Sequence, residues 1–373
     1  MTITEQETAS PVTAETSAGA EALAGRIFTA GVAAADLYTI QLGVQLGLYA
    51  ALDEHGPLDS AKLAARTGLA ERYVREWLQG QTTTGLTTAD GTDVRTARFT
   101  LAPGVRDVLL EPLAPTYLAP LAGAIAATGT VLPRLAEAFR SGAGVPYSDY
   151  PGGHLIQAGF NRPAYASDLV SQWLPAIPDV AARLADASRP AHVGDLGCGA
   201  GWSAIALATA YPHITVEGVD NDQPSIELAS RNAGKARVTE RVSFTVADLG
   251  ALDADRDARY DVAFLFECLH DLPRPVEALA NARRWLRPSG TLIVMDERAA
   301  ETLTANGDDV ERFFAQISPL WCLPQGLVGP NPEPVGTLLR PATLVQLAQR
   351  AGFGAVTVLD IEHPFWRFYR MQP

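Results

Sequence analysis

The stretch Val193 to Ser203, VGDLGCGAGWS, decides the fold of this 373-residue chain. An apolar strand through Ala191, His192 and Val193 stops at Asp195, glycines follow at 197, 199 and 201, and a helix begins near Trp202. Strand, tight turn and helix is the setting in which a glycine run acquires meaning. The bare backbone turns sharply there and admits a ligand where any Cβ would collide with it. The run therefore predicts a nucleotide-type site. A dinucleotide fingerprint places its third glycine five residues after the first, and that position is Trp202 here. Asp195 adds a carboxylate expected to face the ligand, which repels a pyrophosphate and holds a cationic, amino-acid-like group.

The D-x-G-x-G-x-G pattern of Asp195, Gly197, Gly199 and Gly201 resembles the first motif of class I S-adenosylmethionine-dependent methyltransferases. That resemblance implies S-adenosyl-L-methionine as cofactor, leaving as S-adenosyl-L-homocysteine. The cofactor carries an ammonium and a sulfonium but no phosphate, and Asp195 is expected to act through its methionine end.

Beyond the motif, strand and helix patterns alternate, which predicts an α/β Rossmann-like sheet, mostly parallel and covered on both faces. The strand ITVEGVD ends at Asp220, nineteen residues past Gly201. A carboxylate there meets the ribose hydroxyls of a nucleoside lying across the strand ends, with Asn221 beside it. An aspartate at that point also serves as an ordinary helix cap. The strand VSFTVADL closes on Asp248, which resembles the family residue that bonds the adenine amino group, with Leu249 beside the ring. DVAFLFE, from Asp261 to Glu267, leads into CLHDLPRPVEAL, so Phe266 and the residues after it are expected to border the transferring methyl group. A helix at Pro341 to Arg350 and the strands AVTVLDI and FWRFYRM match the closing elements of the family fold, whose last strand is antiparallel. The resemblance spans roughly Asp179 to Pro373.

Upstream, residues 1–20 read as a disordered tail rich in Thr, Ser, Glu and Ala. Residues 21–145 read as a mainly α winged-helix and dimerisation domain. Leu37, Ile40, Val44, Leu48 and Ala51 give helices with an apolar stripe. SAKLAARTGLAERYVREWLQGQTTTGL then reads as helix, turn at Gly68 and helix, and Leu86 to Leu101 as a hairpin wing. Between Gly56 and Glu111 seven basic residues face seven acidic ones, so the positive surface that phosphates require is missing. Pro112 to Pro133 carries no charge and reads as a buried helical segment rather than a membrane span, since Pro115 and Pro120 interrupt it. Residues 146–190 form a helical connection expected to line the pocket, and residues 191–373 the cofactor-binding domain.

A net charge of −13 with 47% hydrophobic residues describes an acidic globular chain, which disfavours nucleic acid as a partner. Cys198, Cys268 and Cys322 have neither paired nor metal-ligand spacing, so no metal is expected and a reducing cytoplasm suits the chain. The N-terminus lacks the basic and apolar regions of a signal peptide.

With its first domain included, the chain resembles actinobacterial two-domain methyltransferases and small-molecule O-methyltransferases, in which a similar N-terminal domain makes a homodimer and contributes to the substrate pocket. Their post-strand motif contains His-Asp, matched by His270-Asp271, and the resemblance implies His270 as general base. An imidazole titrating near neutrality accepts a hydroxyl proton while the methyl transfers. Packing or capping of the next helix is the alternative role for this histidine. Acidic residues orient the base in that family. Asp296 and Glu297 stand where one of them belongs, offset by a residue, and Glu267 is near enough to serve or to line the cofactor pocket. Tyr147, Tyr150, His154, Trp173, Phe314 and Trp321 are the candidates for the substrate pocket. The insertion from Asp308 to Pro341, with its Pro/Gly loop, is a candidate lid.

The expected activity is methyl transfer from S-adenosylmethionine to a small organic molecule, most simply at oxygen. N- or C-methylation is the nearest variant. A regulator that senses S-adenosylmethionine and binds DNA through the winged helix is the alternative from another class, and a dehydrogenase the third.

Overall fold

The computed structural model of the chain describes residues 11–251 and 254–373, and these fall into two compact units. The first comprises the chain to Leu110 together with Leu121–Ala126, and the second Glu111–Pro120 with everything from Ala127 onward. Residues 1–10 of the expected tail lie outside the described residues. From Pro11 the chain is already helical and stays so to Gln45, so helix replaces the second half of that tail.

In the first unit the long helix is followed by three shorter ones, Leu48–His55, Ser60–Thr67 and Glu71–Thr83. Asp59 caps the second of these by accepting from the Lys62 amide, and Gly68 ends it in the left-handed region, where a Cβ would be strained. A short antiparallel wing follows, β1 (Thr87–Ala89) against β2 (Phe99–Leu101). The buried side chains Tyr49, Leu52, Leu63, Val74, Leu78 and Phe99 make the core of this unit. On the second helix of the helix–turn–helix, Arg72 pairs with Glu76 and Arg75 with Glu71. The long helix behaves differently. Leu23, Ile27, Phe28, Val32 and Leu42 are exposed on it, and Gly19–Gln45 is long and apolar enough to cross a membrane.

The uncharged run becomes helix from Ala119, with Leu121–Ala126 counted in the first unit, and in the second unit it continues past Pro133 to Ser141. It is only partly covered, since Val131 and Leu135 are buried while Leu132 is exposed. The helical connection expected over residues 146–190 is mainly three pieces, Gly153–Ser167, a π turn at Leu169–Trp173, and Pro178–Ala185. Proline cannot donate to the turn before it, and Pro163 and Pro178 mark the first and last piece.

Seven strands form the sheet: β3 (His192–Leu196), β4 (Thr215–Asp220), β5 (Val242–Val246), β6 (Tyr260–Phe266), β7 (Leu286–Glu297), β8 (Ala355–Val358) and β9 (Trp366–Gln372). Their order is β5-β4-β3-β6-β7-β9-β8. β3 to β7 run parallel, and β9 lies antiparallel between β7 and β8. Alternate side chains of one strand serve opposite faces. Thus Val262, Phe264 and Phe266 of β6 join one apolar layer with Trp173, Ile293 and Phe368, while Ala263 and Leu265 join the other with Leu279, Leu292 and Tyr369. At its starting end β6 is fixed by Asp261, which accepts from the His192 amide and pairs with Arg183 and Arg287. Strand order reverses between β3 and β6, so the crevice for a ligand opens beyond the ends of those two strands.

Candidate active site

The turn after β3 holds Gly197, Gly199 and Gly201 at φ of 76°, 50° and 75°. All three lie in the left-handed region, yet their surroundings differ. A Cβ on Gly197 would sit 2.3 Å from the Cys268 Sγ, and one on Gly201 would sit 2.5 Å from the Phe244 ring. One on Gly199 meets nothing within 4 Å, and that residue opens on a cavity of about 300 Å³. Gly197 and Gly201 therefore permit close packing, and Gly199 leaves room for a ligand.

Asp220, at the end of β4, accepts from the Gly199 amide at 2.8 Å and from the Asp222 amide at 2.9 Å. Asn221, Asp248 and Leu249 continue this wall of the cavity. Asp248 pairs with Arg274 and accepts from the Gly250 amide. At the end of β6, Phe266, Glu267 and Cys268 close the cavity beside the glycine turn. The opposite wall comes from Tyr147 and from the helix Gly153–Ser167, whose His154, Gln157, Asn161 and Tyr165 line the cavity at helical spacing along one face. Trp321, Gln325 and Val328 of the insertion complete it. The insertion is tied down, because Val145 donates to the Pro324 carbonyl, Glu333 to Pro273 and Gly336 to His270.

Several expected site residues stand elsewhere. Asp195 is buried and does not face the cavity. Its carboxylate accepts from the Ser203 hydroxyl at 2.6 Å and the Ala204 amide at 3.1 Å, so it secures the first turn of the helix Trp202–Ala210. Burial pushes its carboxyl up to about 6. Tyr150 is buried, donates to the Leu320 carbonyl and packs on Trp321. Trp173 is enclosed by Phe266, Trp366 and Phe368 beneath the sheet. Phe314 is buried against Phe313, away from the cavity.

His270 is also buried, at 2% exposure, with carboxylates at both ring nitrogens. Asp296 and Glu297 approach Nδ1 at 2.8 and 2.9 Å, and Asp271 approaches Nε2 at 3.2 Å. Burial alone would lower its pKa, but the Asp271, Glu297 and Asp296 carboxylates outweigh it and hold the ring well above its ordinary value. The ring thus favours its protonated form, while burial raises the Glu297 carboxyl well above its ordinary range. His270, Asp296 and Glu297 do not line the cavity, whereas Asp271 and Glu267 do.

Gln157, Asn161, Tyr165, Asp222 and Gln325 were not expected in the site, whereas Asp271 belongs to the expected post-strand segment. The first three carry a legible signal, a polar stripe at helical spacing that runs from His154 to Tyr165. Cys198 and Cys268 line the cavity, and Cys322, next in sequence to the lining residue Trp321, does not. Burial raises the first two thiols well above their ordinary range and pushes Cys322 up to about 12.

Residues 188–329 match the family described as a methyltransferase domain, and residues 33–103 one described as an Rv2258c-like winged HTH domain. The 27-O-demethylrifamycin SV methyltransferase of Amycolatopsis mediterranei is 39% identical over 102 residues, which are 27% of this chain and 37% of that protein. The chain spans well under two thirds of the length of the curated relatives it matches first. Two solved structures superpose along nearly the whole chain. Mitomycin 7-O-methyltransferase gives a TM-score of 0.65 at 19% identity, covering 97% of this chain and 100% of that one. Human N-acetylserotonin methyltransferase in complex with S-adenosylmethionine gives 0.66 at 18% identity, covering 94% and 97%. These likenesses establish the Rossmann-like methyltransferase fold.

Proposed function

We propose, from the premise that residues 188–329 are a methyltransferase domain, that the chain binds S-adenosylmethionine and methylates an oxygen of a small organic molecule. One observation carries this reading. The cavity beside the glycine turn is lined by Asp220, Asp222, Asp248, Glu267 and Asp271, and among the described residues no lysine or arginine lines it. Such a wall repels phosphates and suits a nucleoside that carries positive charge. When bound, the cofactor supplies a methyl group already activated by its sulfonium.

The chain's own residues fit that ligand. Asp220 and Asn221 hold ribose hydroxyls, and Asp248 with Leu249 holds the base. The open side of Gly199 admits the ligand to bare backbone. Tyr147, Trp321, Leu272 and Val328 offer apolar surface to an uncharged acceptor, with Gln157 and Gln325 as hydrogen-bonding groups. The helix Gly153–Ser167 and the insertion cover the site and exclude water, which strengthens every charge interaction inside.

Calorimetry with S-adenosylmethionine, S-adenosylhomocysteine and NADH tests the reading. Both sulfur nucleosides are expected to bind and NADH is not. A phenol and hydroxyketone panel with methyl-labelled cofactor then identifies the acceptor. Failure of both sulfur nucleosides to bind the folded protein refutes the proposal. A DNA-binding regulator finds no support, since Arg72 and Arg75 are already paired.

We further infer that the exposed apolar face of the helix Pro11–Gln45 pairs with a second copy in a cytoplasmic homodimer. Light scattering at micromolar concentration and cell fractionation check this. A monomer, or protein found in the membrane fraction, removes it.

A further inference from the structure

Among the described acidic residues, Glu267 alone has a backbone in the left-handed region. It has φ 53°, uncommon for a side chain other than glycine and concentrated at functional sites. Its amide donates to the Met295 carbonyl at 2.7 Å, so β7 holds the backbone in that conformation. The side chain lines the cavity at the end of β6, next to the segment that packs on Gly197. The Trp366 indole favours the charged carboxylate, while Oε2 is out of reach of solvent and has no hydrogen-bond partner. A buried acceptor left unpaired is expensive, and strain and vacancy together mark a group held ready for a ligand. His270 does not offer the same, because both its ring nitrogens are engaged by carboxylates.

We propose that Glu267, rather than His270, faces the reacting methyl and takes the acceptor's proton. This rests on the methyltransferase reading above. As the acceptor oxygen forms its bond to the methyl carbon, the sulfonium–carbon bond breaks and its electron pair returns to sulfur. The O–H proton passes to the Glu267 carboxylate and leaves for water when product release opens the site, so charge and atoms balance. Charged and titratable groups surround the carboxylate on every side. Cys268, His270 and Asp271 come from its own segment, Asp296 from β7, and Tyr165 from the helix Gly153–Ser167, with the Trp366 indole from β9. Burial pushes the carboxyl up to about 7 and the His270 cation opposes that rise, which leaves it poised to accept and release a proton near neutrality. His270 is then a positioning residue that sets the charge around Glu267.

The test needs no acceptor. Sinefungin carries an amine where S-adenosylmethionine carries the methylsulfonium, and S-adenosylhomocysteine carries neither charge. Wild-type protein is expected to prefer sinefungin by about tenfold or more at pH 8, the worth of one charge-assisted contact. With a carboxyl near 7, sinefungin binding at pH 7 releases about half a proton more than S-adenosylhomocysteine binding, read by calorimetry in two buffers of different ionisation enthalpy. Glu267→Gln keeps S-adenosylhomocysteine binding and loses both effects, whereas Glu267→Asp retains the proton release. Equal preference and equal proton counts in wild type and Glu267→Gln overturn the assignment. Loss of S-adenosylhomocysteine binding by the wild type instead overturns the methyltransferase reading on which it rests.

Discussion

Replacing Gly199 and Gly201 by alanine, one at a time, separates what the glycine turn does for the fold from what it does for the ligand. Both residues have positive φ, so alanine at either costs about 1–2 kcal/mol of backbone strain. At Gly201 the new Cβ also stands 2.5 Å from the Phe244 ring and 3.0 Å from the Ala229 Cβ. Overpacking of that kind adds about 1–3 kcal/mol, giving a total of about 2–5 kcal/mol. With a urea slope of about 2–3 kcal/mol per molar, the unfolding midpoint of Gly201→Ala falls by about 1–2 M. Gly199→Ala meets no atom within 4 Å, so only the strain remains and the midpoint falls by about 0.5 M. The order reverses for binding. The Gly199 methyl enters the cavity, and S-adenosylhomocysteine affinity is expected to drop about tenfold to a hundredfold by calorimetry, the equivalent of 1–3 kcal/mol of forced overlap. Gly201→Ala that folds keeps most of its affinity. Equal loss of stability in the two variants, with S-adenosylhomocysteine binding intact in Gly199→Ala, refutes the division of labour.

Asp220→Asn keeps the shape of the side chain and removes its charge, so S-adenosylhomocysteine affinity is expected to fall about tenfold to a hundredfold, and an unchanged dissociation constant counts against the ribose assignment. His270→Asn leaves Asp296 and Glu297 buried without their cation and is expected to cost about 3–5 kcal/mol in urea unfolding, with a loss below about 1 kcal/mol contradicting the buried ion cluster. Burial raises Asp195 from 3.8 to about 6 and Glu267 from 4.5 to about 7, so folding favours both as acids. Their contribution to stability is complete below the unfolded values and is lost as pH rises through 6 and then 7. Thermal unfolding across that range should therefore flatten in its lower part for Asp195→Asn and in its upper part for Glu267→Gln, and parallel profiles in all three proteins exclude this linkage.

The sheet was legible because its signals are local. Each of Gly197, Asp220, Asp248 and Glu267 follows an apolar run of strand length, and a parallel sheet brings such strand ends to one edge whatever the intervening helices contain. The expected antiparallel last strand is present as β9. Side-chain direction was less legible. Asp195 was expected at the ligand because it precedes the glycines, but β3 is covered on both faces, and the exposed amides of the next helix claim its carboxylate. His270 was expected as a base from its neighbour Asp271. What decides its state is a cluster with Asp296 and Glu297 from β7, a contact between residues 26 apart in sequence. Trp173 and Phe314 looked like pocket aromatics for want of any periodic signal that separates core from cavity. The stripe from His154 to Tyr165 had such a signal, and the proline within it concealed the helix.

The three thiols give this molecule a clock. Cys198 and Cys268 border the cavity and Cys322 follows the lining residue Trp321; Cys198 and Cys322 are buried, Cys268 is half-buried, and burial raises all three thiols above their ordinary range. Attack by the two buried thiols on an added aromatic disulfide therefore runs when the covering helix or the insertion lifts. The rate of colour development in the resting protein counts those openings. Saturating S-adenosylhomocysteine should slow it in proportion to the time the cover stays shut, which yields the breathing of the site without any label being introduced.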